Sequence, residues 1–430
     1  MSSKQSLRWL PLDNAAKIYP AARRQNWTNL FRLSATLTEE VDREILRSAL
    51  AVTVVRFPSI AARLRRGMFW YYLQEVDQAP EIREESSYPL THMGRQELRK
   101  CAFRVIVYRN RVAVEFFHSL TDGNGGLIFL KSLIAEYLKQ KHGLVIPAED
   151  GVLDCREEPR PEELEDSFQK HMGAVQASRK SHDAWRLRGT PEPDGFLHLT
   201  CMELPVDLAL KKARQYGVTL TVFLSAAMMM AIQTMQKEHI PSPRRRRFIK
   251  LCIPVNLRPI FHSRTLRNFA LYATPEIDPR LGDYSFEEIC AVVRHQLGLE
   301  VNAKAMSALI ATNVSSERNP AVKLMPLFVK NFVMKLVFDA VGERKSCLSL
   351  SNLGAVRVPE AMAPYVERFD FILGAPSSAP HNCGVLSYGG KLSLNFIRST
   401  REPELEYHFF RVLRELGLPV FVQTNSQEEA

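Results

Sequence analysis

The chain has 430 residues, 46% of them hydrophobic and 24% charged, with a formal net charge of +10. That length exceeds what one ordinary core holds and predicts two domains or two tightly packed halves, while the composition excludes a disordered, collagenous or repeat-array chain. The positive excess suits an anionic partner, but the basic residues are dispersed rather than interleaved with aromatics, so nucleic acid is not expected as a partner. The one dense run, Arg244 to Arg247 in "PSPRRRRFIK", reads as a solvated loop. Seven cysteines, at 101, 155, 201, 252, 290, 347 and 383, show no C-x-x-C spacing. An odd count without such spacing argues against a disulfide framework or a metal site and for a reducing compartment. The N-terminus, "MSSKQSLRWLPLDNAAKIYP", lacks the apolar stretch of a signal peptide, and no run of about 18 uncharged apolar residues offers a membrane span. A cytoplasmic, monomeric protein is the expectation.

In chain order, Thr28 to Ala35 reads as a strand. "TLTEEVDREILRSALAVTVVRFP" reads as a helix with Thr38 as its cap, Val41, Ile45, Leu46 and Ala49 at helical spacing, and Pro58 as its stop. "FWYYLQEV" and "FRVIVYRN" read as strands, rich in aromatic and β-branched residues. From Ala148 to Asp194 the chain turns polar, with proline and acidic clusters, and residues 161–195 read as a crossover; a helix over Pro161 to Ala177 is expected within it. This divides the chain into a first half, residues 1–160, and a second, 196–430. In the second half "HLTCMELP" reads as a strand, "VDLALKKARQYG" as a helix closed by Gly217, and "TLTVFLSAAMMMAIQTMQKEH" as a long buried helix capped by Thr221. "RFIKLCIPVNLR", "CLSLSNLG", "ERFDFILGAP" and "CGVLSYGGKLSLNFIR" read as strands, and Glu404 to Glu415 as a closing helix. Interleaved strands and helices in both halves predict an α/β chain with mixed sheets.

One stretch carries chemistry. In "VAVEFFHSLTDGNGGLIFLKSLIAEYL", residues 112–138, Val112, Val114, Phe116 and His118 stand two apart and share one strand face. A glycine-rich turn follows, then a helix with Leu127, Leu130, Ile134 and Leu138 on one side and Lys131, Lys139 and Gln140 as its polar remainder. An imidazole at a strand end, beside a turn that lets backbone approach closely, is well placed to meet a substrate. Asp122 can orient that ring, pair with a distant arginine, or cap the helix. "DGNGG" is neither a Walker loop nor a dinucleotide fingerprint, and the chain has no G-x-S-x-G elbow.

The segment His118 to Gly123, H-S-L-T-D-G, resembles the H-x-x-x-D-G motif of the chloramphenicol-acetyltransferase-like superfamily, which includes condensation domains, plant BAHD acyltransferases and free-standing alcohol acyltransferases. "IPVNLRPIFHSRTLRNF", residues 253–269, is similar to the second-half strand and loop of that family through Pro254, Asn256, Arg258, Asn268 and Phe269. "LSNLG", residues 350–354, resembles its late strand turn, and residues 19–64 its first strand and helix. Two departures stand out: Phe117 replaces the first of the paired histidines common in condensation domains, and the BAHD D-F-G-W-G signature is only echoed at Asp370 to Gly374. The resemblance implies two chloramphenicol-acetyltransferase-like halves arranged as a pseudo-dimer with a channel between them. It implies that His118 acts as general base, with Asp122 and Gly123 in the catalytic motif and Arg258 as the structural partner of Asp122. Asn256, Asn268, Ser351 and Asn352 become candidate substrate or oxyanion contacts. The implied reaction moves an acyl group from a thioester to a hydroxyl or amine, with no acyl-enzyme, no metal and no resident cofactor. Acyl-CoA is the expected co-substrate, a carrier protein the other donor, and a small alcohol, lipid or amine the acceptor. Two alternatives stay open: a non-catalytic relative that recruits a carrier protein, and a free-standing condensation enzyme. Cys252, and Cys383 in an "HNCG" turn beside His381, are the thiols to weigh against direct transfer.

Overall fold

The computed structural model describes residues 7–22, 29–177, 182–193, 195–337, 345–375 and 380–425. Thr28 and Asp194, at the edges of two expected segments, and residue 376 at the end of "ERFDFILGAP" lie outside them.

The first half is built on the strands Leu30–Leu37, Arg111–Phe117 and Phe103–Tyr108, paired antiparallel, with Ile82–Glu84 running parallel at the far edge. A separate three-stranded sheet, Trp9–Pro11, Tyr71–Glu75 and Ala62–Arg66, lies beside it. The helices Arg43–Arg56 and Gly123–His142 join this sheet in one apolar core. The second half carries an eight-stranded sheet in which Leu348–Ala355 runs parallel to both Ile249–Asn256 and His381–Tyr388, while the other pairs are antiparallel. Helix Leu220–His239 is buried against that sheet and forms a second core with Phe286–Glu300 and Glu404–Glu415. A third, smaller apolar cluster forms from Phe168, Leu257, Phe269, Met306, Ile310 and Val314, which come from the crossover and the second half. The architecture is α/β with mixed sheets in two halves.

One strand departs from the sequence division. Val366–Leu373, read as part of the second half, pairs antiparallel with Leu30–Leu37 and forms the edge of the first-half sheet, with Leu33 opposite Phe371. Its residues Phe369, Asp370, Phe371 and Ile372 are all buried, because this edge strand is covered by the second half: Asn395 Nδ2 donates to Phe371 O at 3.2 Å and Asn382 Nδ2 to Gly374 O at 2.5 Å.

Local capping corrects several boundaries. The first long helix starts at Arg43, not after Thr38, because the Asp42 carboxylate takes the amides of Glu44 and Ile45 at 2.9 and 3.1 Å; Val41 precedes the helix. Thr219, not Thr221, caps the buried helix through the Val222 amide, at 3.3 Å. Among its described residues the crossover holds two four-residue helices, Pro161–Leu164 and Ser167–Lys170, not one helix to Ala177. It is tied to both halves: Arg56 grips Glu163 through two bonds of 2.5 and 2.8 Å, and the Leu266 amide donates to Glu163 O. Within the arginine run, Arg246 is buried and paired with Asp283 at 2.8 Å, while its neighbours are exposed. Lys131, expected on a polar face, is buried; its ammonium donates to the carbonyls of Asp150 and Arg357, and burial pushes its pKa down to about 8. "HNCG" is strand, not turn.

Candidate active site

His118 follows strand Arg111–Phe117 directly, and its amide donates to Asn29 O at 2.9 Å. The strand's other face carries Glu115, fully buried between Arg32 and Arg104, so the end of the strand is held by ion pairs as well as by apolar packing. The imidazole is half-buried. Tyr19 stacks on it with ring centroids 4.5 Å apart and planes 15° apart, and Phe31 meets it edge-on at 5.0 Å. Asn268, from the second half, fixes its orientation: the side-chain Oδ1 lies 3.1 Å from His118 Nδ1. The two hydrogens of the same amide face acceptors, His118 O at 3.0 Å and Asp13 Oδ2 at 3.2 Å. That leaves Oδ1 toward the ring, so Nδ1 carries the proton and Nε2 the lone pair. Burial lowers the histidine pKa below its ordinary value, so the ring is neutral at pH 7.

Asp122 does not orient the ring. It caps helix Gly123–His142 by accepting the Gly125 amide at 3.1 Å, and its other oxygen accepts Arg258 Nη1 at 2.8 Å and the Phe269 amide at 2.9 Å. Two of the three readings open in the sequence, cap and ion pair, are therefore both realised. Burial alone would raise this carboxyl; the Arg258 guanidinium overrides it and holds the pKa below the usual carboxylate value. Arg258 also donates to Thr265 O at 2.7 Å, Arg267 O at 2.6 Å and Asn256 Oδ1 at 3.2 Å. One guanidinium thus closes the loop 257–269 onto the helix start in the other half.

The glycines serve close approach. A Cβ on Gly125 would collide with Leu266 O and Thr121 Oγ1, and one on Gly123 would meet Leu353 Cδ2 at 2.8 Å. Backbone from the second half therefore rests on the turn itself.

The remaining candidates are engaged within the protein or buried in it. Asn256 Oδ1 accepts from the Arg258 amide and guanidinium. Asn352 bridges Thr221 Oγ1 and the Gly354 amide, at 3.1 and 2.8 Å, and so shapes its own turn. Ser351 is buried in the same strand. Cys383 is buried and Cys252 half-buried, and desolvation raises both thiols. Sequence reasoning missed Asp13 and Tyr19. Their signal, "LDNAAKIYP", is a short helical approach with no periodicity to mark it. Asp13 is fully buried, and burial raises its carboxyl to about 6 against the pull of Arg267.

No protein-family model matches the sequence, and no curated protein sequence matches it. Solved structures do. TRI101 of Fusarium sporotrichioides, solved with coenzyme A and T-2, superposes with a TM-score of 0.61 at 10% identity, covering 96% of this chain and 99% of its own. The chain has the acyltransferase and condensation-domain fold. Polyketide synthase associated protein 5 from Mycobacterium tuberculosis gives 0.59 at 15% identity over 97% and 99% of the two chains. The condensation domain of the monacolin K polyketide synthase MokA gives 0.59 at 11% identity over 96% and 97%. Among the described residues no single helix is long and apolar enough to cross a membrane.

Proposed function

We propose that the protein transfers an acyl group from a thioester, acyl-CoA by preference, to a hydroxyl or amine, with His118 as general base at a channel between the halves. The observation that carries this reading is the neutral imidazole whose tautomer Asn268 fixes, with Nε2 left basic. Nε2 takes the acceptor's proton as its oxygen or nitrogen attacks the thioester carbonyl. The tetrahedral oxyanion forms near the N-terminus of helix Gly123–His142, where the Gly123 amide is the nearest candidate donor in the motif. Collapse breaks the carbon–sulfur bond, and the thiolate recovers the proton from the imidazolium. Asp122 and Arg258 hold the turn and do no proton transfer. Asn268 becomes a positioning residue rather than a substrate contact. The fold shared with TRI101, whose structure contains coenzyme A, supports the choice of donor.

The test is incubation of purified protein with acetyl- and longer acyl-CoA against a panel of alcohols and amines, with products read by mass spectrometry. Transfer by the wild type that drops by a factor of about 10² to 10⁴ in folded His118→Ala is the expected result. A folded His118→Ala that turns over at the wild-type rate refutes the assignment.

A further inference from the structure

A cavity of ≈ 550 Å³ opens on the first half, within the roughly 300–1,000 Å³ typical of small-molecule sites. Its floor includes Leu98 and Phe117, and Phe117 immediately precedes His118; Pro20 and Ala21, which follow the stacked Tyr19, complete it. Its roof is helix Leu327–Val337, whose Phe328 and Phe332 line the cavity while remaining more than half exposed. Its rim is cationic. Arg95 and Arg99 stand four apart on helix Arg95–Lys100 and so share a face, and Arg66 ends the strand Ala62–Arg66. No carboxylate lines the space. Arg83 and Arg104 nearby both pair with Glu97, whereas none of the three rim arginines makes an ion pair among the described residues.

We propose that this cavity binds an anionic amphiphile, with the hydrocarbon body against Phe117, Leu98 and the roof phenylalanines and a phosphate or carboxylate head on Arg66, Arg95 and Arg99. Naming that ligand as a substrate of His118 rests on the acyl-transfer reading; the binding itself does not. Three guanidiniums with no ion-pair partner among the described residues present fifteen N–H donors to a space that no carboxylate lines, which suits an oxyanion head better than a neutral one. The same head chemistry belongs to the phosphates of a coenzyme A thioester and to a phosphorylated lipid acceptor.

Calorimetric titration of the full chain with dodecyl phosphate, dodecanol and inorganic phosphate tests this. Dodecyl phosphate binding at least about tenfold tighter than either fragment is expected, with that advantage lost in Arg66→Gln/Arg95→Gln/Arg99→Gln. The three side chains are exposed, and an unchanged unfolding midpoint certifies the variant. Equal affinity for dodecyl phosphate and dodecanol, or a folded triple variant that binds dodecyl phosphate as the wild type does, overturns the proposal. Competition separates the sources: displacement of dodecyl phosphate by coenzyme A assigns the site to the donor, and independent binding assigns it to the acceptor. A protein that binds dodecyl phosphate but transfers no acyl group sinks the acyl-transfer reading alone. One that acylates a short neutral alcohol yet ignores head charge sinks the cavity proposal alone.

Discussion

Removing either partner of the Asp122–Arg258 pair should destabilise the protein unequally. Breaking a buried pair on one side costs about 3–5 kcal/mol. After Asp122→Ala the guanidinium keeps the Thr265 and Arg267 carbonyls and Asn256 Oδ1, so the loss belongs near the lower figure. After Arg258→Ala the carboxylate keeps only the Phe269 and Gly125 amides, and the loss belongs near the upper one. The double variant Asp122→Ala/Arg258→Ala leaves no orphaned charge and should fall short of the sum of the singles by about 2 kcal/mol. Urea unfolding followed by tryptophan fluorescence measures all four proteins. The pH dependence adds a second check. In the wild type the Asp122 pKa is lowered, so its contribution is complete above the unfolded value near ~3.9 and is lost only as pH falls through the still lower folded value. Without Arg258, burial dominates and raises the carboxyl. The folded variant then binds a proton that the unfolded chain does not, and its deficit should narrow as pH falls from 7 toward 4.5. Strict additivity of the singles, or a deficit that stays constant with pH, would refute the coupling.

Because burial lowers the His118 pKa, the transfer rate should stay level as pH falls past ~6.5, the ordinary imidazole value, and decline only in more acid solution; a pH–rate profile of kcat/KM with its midpoint above that value contradicts the environment described. Asn268→Ala should lower kcat by roughly an order of magnitude or more with little change in KM, the signature of an unfixed tautomer, and the test is steady-state kinetics at several pH values, where a purely structural role would leave the profile unmoved. With both candidate thiols' pKa values raised by desolvation, incubation with acyl-CoA alone should leave the intact mass unchanged, and initial-rate lines should intersect; a stoichiometric adduct discharged by an added alcohol would replace direct transfer by a ping-pong route.

Much of this was legible in the sequence where a local rule applies. Helix Glu404–Glu415 and strand His198–Pro205 match their predicted limits, because an amphipathic helical period and a two-residue alternation, with Thr200, Met202 and Leu204 facing inward, are written into the residues that form them. The strand–turn–helix around His118 is legible for the same reason. Caps were read less well: Thr38 and Thr221 are as good by type as Asp42 and Thr219, and only backbone geometry selects between them. What sequence could not supply is the long-range partner that a side chain chooses. Asn268 looked like an oxyanion contact until its amide was seen spanning His118 and Asp13, 255 residues apart from the latter. Val366–Leu373 has the composition of any buried strand, and nothing within it says which sheet it joins.

That strand has a consequence for synthesis. Until Val366–Leu373 leaves the ribosome, Leu30–Leu37 stands as an open sheet edge with its outer amides and carbonyls unpaired. At about 5–20 residues per second, that exposure lasts from roughly a quarter of a minute to a minute. Open edges recruit other strands, so nascent chains stalled before residue 366, or the segment 1–160 expressed alone, should aggregate through Leu30–Leu37. The first half is thus made early and finished late, and its native state is reached only when a segment from near the other end of the chain returns to close it.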